Sequence, residues 1–278
     1  MKLSFRIKRG LLNVPVFVFL ILLVAVSVAP FLWVAMSSFK TNREILTFSM
    51  GGAFHIRNYT NAFKIAPIAR YFVNSVVVTG LGIVLNLVIM SMAAYVLARF
   101  EFRYRKLIRS IFALGLLIPG AALLLPLFMS VKAMGLYDTL GGLILVYTAF
   151  GIPTSVFIMS SYFLTIPKAL EESAYIDGSG FLRTFVVIIL PIARPAFATA
   201  GIMQFLQCWN EFQFALTLTT GHASRTLPVA LYYFKSAFAS DYGAMFAAIV
   251  MVSLPSVIVY ILAQKQIVSG LAAGAVKG

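Results

Sequence analysis

The chain has 278 residues, of which 61% are hydrophobic and only 11% charged, with a mean hydropathy of +0.97. A soluble domain carries roughly a quarter charged residues, so this chain lacks the polar surface to face water on all sides. Its net charge of +14 is spread between apolar runs instead of forming one basic face, which argues against nucleic acid as a partner and for orientation in a lipid membrane.

Apolar runs long enough to cross about 30 Å of hydrocarbon occur at residues 11–36, 72–97, 107–131 and 140–164. Two more follow at 195–218 and 243–263. Lipid offers no hydrogen-bond partner to the backbone, so runs of this length without alternating polarity are expected to be helices. The expected fold class is therefore an all-α integral membrane protein with six transmembrane helices. Prolines 119, 126, 153, 195 and 255 predict kinks and blur the ends. The first run follows Lys2, Arg6, Lys8 and Arg9, but it is long for the apolar region of a signal peptide, and Pro30 follows its one small-residue site. It reads as a retained anchor.

Placing the amino terminus in the cytoplasm gives the inner segments fourteen basic residues and the outer ones eight, which supports both termini inside. The clearest inner segment is the Arg-dense link from Phe100 to Lys106. The outer loop of residues 37–71 holds five basic residues and weakens the contrast.

Between the fourth and fifth runs, on the cytoplasmic side, residues 166–178 predict a short separate helix. Pro167 suits a first helical turn, Glu171 and Glu172 favour the positive end of the helix dipole, and Gly178 suits the left-handed residue that stops a helix. Ala169, Ser173 and Ile176 share a face, with Leu170 and Ala174 beside them, so the helix has small and apolar residues to offer a partner. On these residues alone, a connector packed on its own bundle is an equal alternative.

Glu172, Ser173 and Ala174, then Asp177 and Gly178, then Ile188 ten residues after the glycine, with Leu190 and Pro191, resemble the EAA signature of binding-protein-dependent ABC transporter permeases. Ser173 stands where alanine is usual. Asn58 with Tyr59, Asn74 with Ser75, the Ala93-Ala94-Tyr95 and Ala98-Arg99 pairs, and Trp209 to Phe212 resemble landmarks of the carbohydrate-importing, maltose-type branch. The carboxyl-terminal stretch is similar to the tail of the smaller permease in maltose-type transporters.

The resemblance implies a type I importer permease fold of the bacterial or archaeal cytoplasmic (inner) membrane. It divides the chain into a first helix with its outer loop (1–70), a permease core (71–265) containing the EAA loop 166–191, and a cytoplasmic tail (266–278). It makes Glu171 and the signature residues the segment that couples to a dimeric cytoplasmic ATPase. It also implies that Gly270, Gly274, Lys277 and Gly278 of the tail reach that ATPase, a tail that composition alone would leave frayed. The other implied partners are a second homologous permease and an extracytoplasmic solute-binding protein. ATP and Mg belong to the ATPase, and no cofactor is assigned to this chain.

Glu211, the acidic residue placed nearest to membrane depth, is expected with Asn210 to line the translocation path, to reach outer water, or to pair across a subunit interface. In the outer loop of residues 219–242, Ser224 and Arg225 are candidates for contact with the binding protein. No phosphate-binding GxxxxGK[ST] loop and no HExxH pair is present, and His55 and His222 both fall in outer loops, so neither ATP hydrolysis nor intramembrane catalysis is expected of this chain. The function implied is import of a sugar or oligosaccharide. An importer of a non-sugar solute and a non-transporting membrane scaffold are the alternatives.

Overall fold

A computed structural model of the chain describes the backbone of residues 2–275 except 50, 53 and 236–240, and side chains within 15–234 and 241–266. Every regular element among the described residues is helical. The chain divides into two compact units, Met1–Ala66 with Leu231–Val252, and Pro67–Ala230 with Ser253–Gly278. Residues 231–252 thus group with the amino-terminal stretch.

In the first unit, α1 (Lys2–Ser37) is long and apolar, and it is exposed from Pro15 to Leu32, the pattern of a lipid-facing helix. Two short helices follow, α2 (Asn42–Leu46) and α3 (Arg57–Ile65). The Asn58 side-chain amide donates to the Ser38 and Lys40 carbonyls at 3.0 and 2.9 Å, closing the turn that ends α1. Lys40 lies 4.7 Å above the Trp33 ring.

The second unit is built on two long helices packed along each other, α4 (Ile68–Arg99) and α7 (Leu140–Phe163). Both bury small or amide-bearing residues where they meet, which lets the backbones approach and supplies hydrogen bonds in a solvent that offers none. Asn86 of α4 donates to the Thr148 carbonyl of α7 at 2.9 Å and accepts from Ser155 of α7. This bond lies one residue from the Ala149 carbonyl, which Pro153 leaves without its helical donor.

The third and fifth runs are not straight spans. Helix α5 (Arg105–Gly115) and the pair formed by a 3₁₀ turn (Gly120–Leu123) and α6 (Leu124–Ala133) meet at 98°. Pro119 cannot continue α5, and a side chain at Gly115 would come within 2.8 Å of the Pro153 ring, so this end of α5 is pressed onto α7. After α8 (Ala169–Ile176) come α9 (Phe181–Thr184), a π turn (Phe185–Ile189) and α10 (Leu190–Ile192); this stretch meets α11 (Arg194–Trp209) at 75°. Pro195 withholds the amide that the Pro191 carbonyl would accept, which explains a break at this place. The fifth span thus begins near 181 and ends at 209, whereas residues 195–218 were expected; 210–212 leave the helix and α12 (Gln213–Leu218) is a separate turn. Among the described residues four single helices and two bent pairs are long and apolar enough to span, giving six spans if each pair counts as one.

The last helix, α13 (Tyr242–Ala275), supplies part of each unit. Its backbone stays helical through most of the segment expected to be a separate tail, and Gly270 and Gly274 lie within it. Lys277 and Gly278 lie outside the described residues.

Candidate functional site: a clamped helix at one end of the core and a clasped loop at the other

Helix α8 is eight residues long, shorter by two residues at its start and one at its end than the sequence suggested. Its stop is the expected one. Gly178 has φ +79°, its amide donates to the Tyr175 carbonyl at 3.0 Å, and the Ser179 amide reaches back to the Ala174 carbonyl at 2.9 Å. These are the two bonds of a Schellman cap, and the positive φ is open to glycine at little cost.

The two consecutive glutamates separate because successive helical residues point about 100° apart. Glu171 turns inward and Glu172 outward. The Arg99 Nε, at the end of α4, donates to Glu171 Oε1 at 2.7 Å, with the two side chains only 5% and 10% exposed. The same guanidinium sends Nη2 to the Ile166 carbonyl at 2.7 Å, so its fork holds both α8 and the chain entering it. Ala174 also faces the bundle, a correction to the expectation that it flanks the free face. Ser173, Asp177 and Gly178 are exposed, and Ile176 is 86% exposed, with Leu170 and Tyr175 beside it at 41% and 45%.

Beyond the cap, Ile188 and Leu190 pack against an aromatic and aliphatic cluster that includes Tyr95, Phe163, Ile166, Phe185 and Ile189. Tyr95 lies 5.5 Å from Phe163 and 4.8 Å from Phe185 between ring centroids. Pro191 is exposed. The signature residues therefore divide into an outward set on α8 and an inward set that anchors it.

At the other end of α4, the loop of residues 219–227 is tied down by three residues of that helix. Asn74 donates to the Ala223 and Arg225 carbonyls at 3.0 and 2.8 Å, the Leu227 amide donates to the Ser75 hydroxyl at 2.8 Å, and the Tyr71 hydroxyl meets His222 Nδ1 at 2.6 Å. Asp138, just before α7, clasps the same loop: it accepts from the Thr220 and Gly221 amides at 2.8 and 3.0 Å and from the Ser224 hydroxyl. Burial works to raise the Asp138 carboxyl, but these donors, Ser224 foremost, outweigh it and hold the pKa down at about 2. Ser224 is 2% exposed, so its hydroxyl builds the loop and is not presented outward. Arg225 is half-buried, and its carbonyl is held by Asn74.

Glu211 also has an internal task. Its carboxylate accepts from the Phe214 and Ala215 amides at 2.7 and 2.9 Å, which begin α12, and from the Tyr147 hydroxyl at 2.6 Å. Asn210 is exposed and accepts from Ser256 at 2.8 Å. Nearby, Gln204 of α11 donates to the Tyr147 carbonyl at 2.8 Å and occupies the space that a side chain at Gly151 would need.

The sequence reading missed the roles of Asp138 and Arg99. The available signal was scarcity: with eight acidic residues in the whole chain, one placed immediately before an apolar run has reason to be bonded. Among the described residues no group of three or more His, Cys, Asp or Glu is arranged to hold a metal ion.

Residues 87–267, which include α8 and both of its anchors, match the model of the family described as binding-protein-dependent transport system inner membrane component. The diacetylchitobiose uptake system permease protein of Streptomyces coelicolor is 40% identical over 259 residues, covering 92% of this chain and 86% of that one. The trehalose/maltose transport system permease protein of Thermococcus litoralis is 36% identical over 263 residues, covering 93% and 94%. The crystal structure of a bacterial ABC transporter involved in import of the acidic polysaccharide alginate contains a chain that superposes with a TM-score of 0.82 at 22% identity, covering 93% of this chain and 97% of that one; at that identity it bears on the fold. The chain belongs to the binding-protein-dependent transport family as a multi-pass inner-membrane permease of the carbohydrate ABC importer kind, a transport subunit and not an enzyme.

Proposed function

We propose that this chain forms one half of the translocation pathway for a sugar or oligosaccharide and is driven through α8 by a dimeric cytoplasmic ATPase. The observation that carries this reading is the free face of α8: an 86% exposed isoleucine on a short helix whose other face is locked to the bundle. A helix of this kind suits insertion into a cleft, where anchors at i, i+3 and i+4 supply the contact. Glu172 and Asp177 add exposed carboxylates for basic side chains on the ATPase, while Ser173 and Gly178 keep the approach close. ATP and Mg would act in that partner, and this chain would bind neither.

In this reading both termini are cytoplasmic, and the loop of residues 219–242 faces an extracytoplasmic binding protein with Arg225 as its candidate contact. A second, distinct permease completes the pathway near Asn210 and Glu211, and the end of α13 with Lys277 and Gly278 adds to the ATPase interface. Alternating access follows: closure of the ATPase dimer draws the two coupling helices together, and the permease pair reopens toward the binding protein. The sugar class rests on the diacetylchitobiose and trehalose/maltose relatives.

The test is reconstitution of the complex purified from its native membrane, with sugar uptake and ATP hydrolysis measured together. Uptake that requires ATPase, binding protein and this chain is the expected result. A complex holding two copies of this chain and no other permease would remove the distinct companion, and sugar uptake by this chain alone would overturn the reading. Thermal-shift screening of the associated binding protein then identifies the sugar.

A further inference from the structure

The inner and outer ends of the second unit are held by the same two helices. At the inner end, α7 runs into α8 through residues 164–168, and α4 grips α8 through Arg99, which bonds Glu171 and the Ile166 carbonyl. At the outer end, Asp138 before α7 and Asn74 of α4 grip the loop of residues 219–225. Between these clamps, from Asn74 to Arg99, α4 runs roughly 37 Å with no proline and is pinned to α7 by Asn86, Thr148 and Ser155.

We propose that Arg99 is a positioning residue for transport: it fixes α8 to the α4–α7 pair, so that a displacement of α8 moves the pair as one body and reaches the outer loop held by Asp138. Without the guanidinium, α8 hangs from the bundle mainly by its flanking chain, and motion imposed on it is absorbed in residues 164–168. The inference rests on the reading that α8 docks on the ATPase. Spatial continuity alone does not establish coupling between two sites, so the test has to measure the coupling itself.

The experiment uses the complete importer in proteoliposomes and reads the ratio of binding-protein-stimulated to basal ATP hydrolysis, with the amount of ATPase retained on purification as a separate readout. Arg99→Met is expected to lower that ratio at least about fivefold while the ATPase stays bound. Arg99→Lys, which keeps the charge but cannot reach both acceptors, should fall between Arg99→Met and the parent. Asp138→Asn should lower the ratio by itself, and the double variant Arg99→Met with Asp138→Asn should be no worse than the weaker single variant, because either change interrupts the same series of contacts. Should Arg99→Met fail to fold through its unpaired Glu171, the paired replacement Arg99→Met with Glu171→Met carries the same test without a buried lone charge. An unchanged ratio in the folded variant, a loss that merely tracks lost ATPase, or effects of Arg99 and Asp138 that multiply as independent faults would each overturn the proposal. Ile176→Asp separates the two levels. If it uncouples the importer while Arg99→Met does not, only the positioning role fails; if ATPase binding and stimulation survive Ile176→Asp, the docking of α8 fails with it.

Discussion

The two ends of the core solve opposite problems with different bonds. At the α8 end a short helix stays in one orientation while its free face, led by Ile176, remains open, and it is held by a formal ion pair between Arg99 and Glu171. At the opposite end a loop with little regular structure is held mainly through its backbone, by Asn74, Ser75 and the Asp138 carboxylate. A helix satisfies its own amides and carbonyls, so a clamp on it can grip a side chain. A loop has unsatisfied backbone groups, so a clamp on it gains by supplying their partners. The α8 end consequently presents a preformed apolar ridge, and the opposite end presents a loop whose shape is stored in its main chain.

This contrast can be broken at either end. The largest effect is expected from Ile176→Asp, which puts a charge on the exposed ridge; ATPase recovered on pull-down should fall more than tenfold, the scale of an interface hot spot of about 2 kcal/mol, with thermal stability of the permease unchanged. Next, Glu171→Ala and Glu172→Ala should separate cleanly although the residues are adjacent. The first leaves Arg99 buried without its partner and should cost about 3–5 kcal/mol of stability. The second touches nothing inside and should stay within about 0.5 kcal/mol, yet reduce coupled transport. Equal stabilities in a detergent unfolding assay would mean that the inward and outward assignments are wrong. Gly178→Ala should cost about 1 kcal/mol through its positive φ, and Gly178→Pro more, since it also removes the amide bonded to Tyr175.

At the end clasped by Asp138 the effects are smaller and depend on pH. Asp138 is ionised in the clasp and its folded pKa, about 2, lies below the usual value of 3.8. A depressed carboxyl contributes stability that is complete above the unfolded pKa and is lost as pH falls through the folded one, so protection of the Thr220 and Gly221 amides should hold from neutral pH to about 4 and decline toward 2. Hydrogen exchange compared with Asp138→Asn at each pH isolates this contribution, and the variant should lose about 1–2 kcal/mol of local protection at neutral pH. The smallest effect is expected from deleting residues 269–278, which should weaken ATPase association or slow its turnover while leaving insertion intact. Unchanged recovery and turnover would assign that end no role.

The parts legible in the sequence were those written in long apolar runs or in local backbone chemistry. Four helices stand close to where hydropathy put them, and Gly178 stops α8 with the left-handed turn its position implied. The bends were only half legible: Pro119 and Pro195 announced breaks, but the place where α5 is pressed onto α7 depends on Gly115 meeting Pro153, a contact between residues far apart in the chain. For the same reason Glu171 and Glu172 looked like a pair. Which of two neighbours faces inward is decided by where Arg99 comes to lie, and that is a property of the packed bundle. Asp138 and Ser224 were beyond reach for a loop, since no period relates positions separated by 86 residues.

The exposed first helix also bears on how the protein is made. Within Pro15–Ser37 an 18-residue stretch has a mean hydropathy of 2.7 and holds no buried residue, so this segment can leave the insertion machinery and rest in lipid as soon as it is synthesised. Helix α7 is in a different position: its mean hydropathy is 1.8, more than half of its window is buried, and it carries Thr148 and Ser155. Those groups find their partners on Asn86 and Gly82 of α4, which the ribosome has delivered some sixty residues earlier. Biogenesis should therefore proceed in two stages, with α1 inserting independently and α7 retained near the insertion site until α4 accepts it. Asn86→Leu would delay α7 alone, a kinetic defect visible in stepwise crosslinking of nascent chains to the translocon and absent for α1.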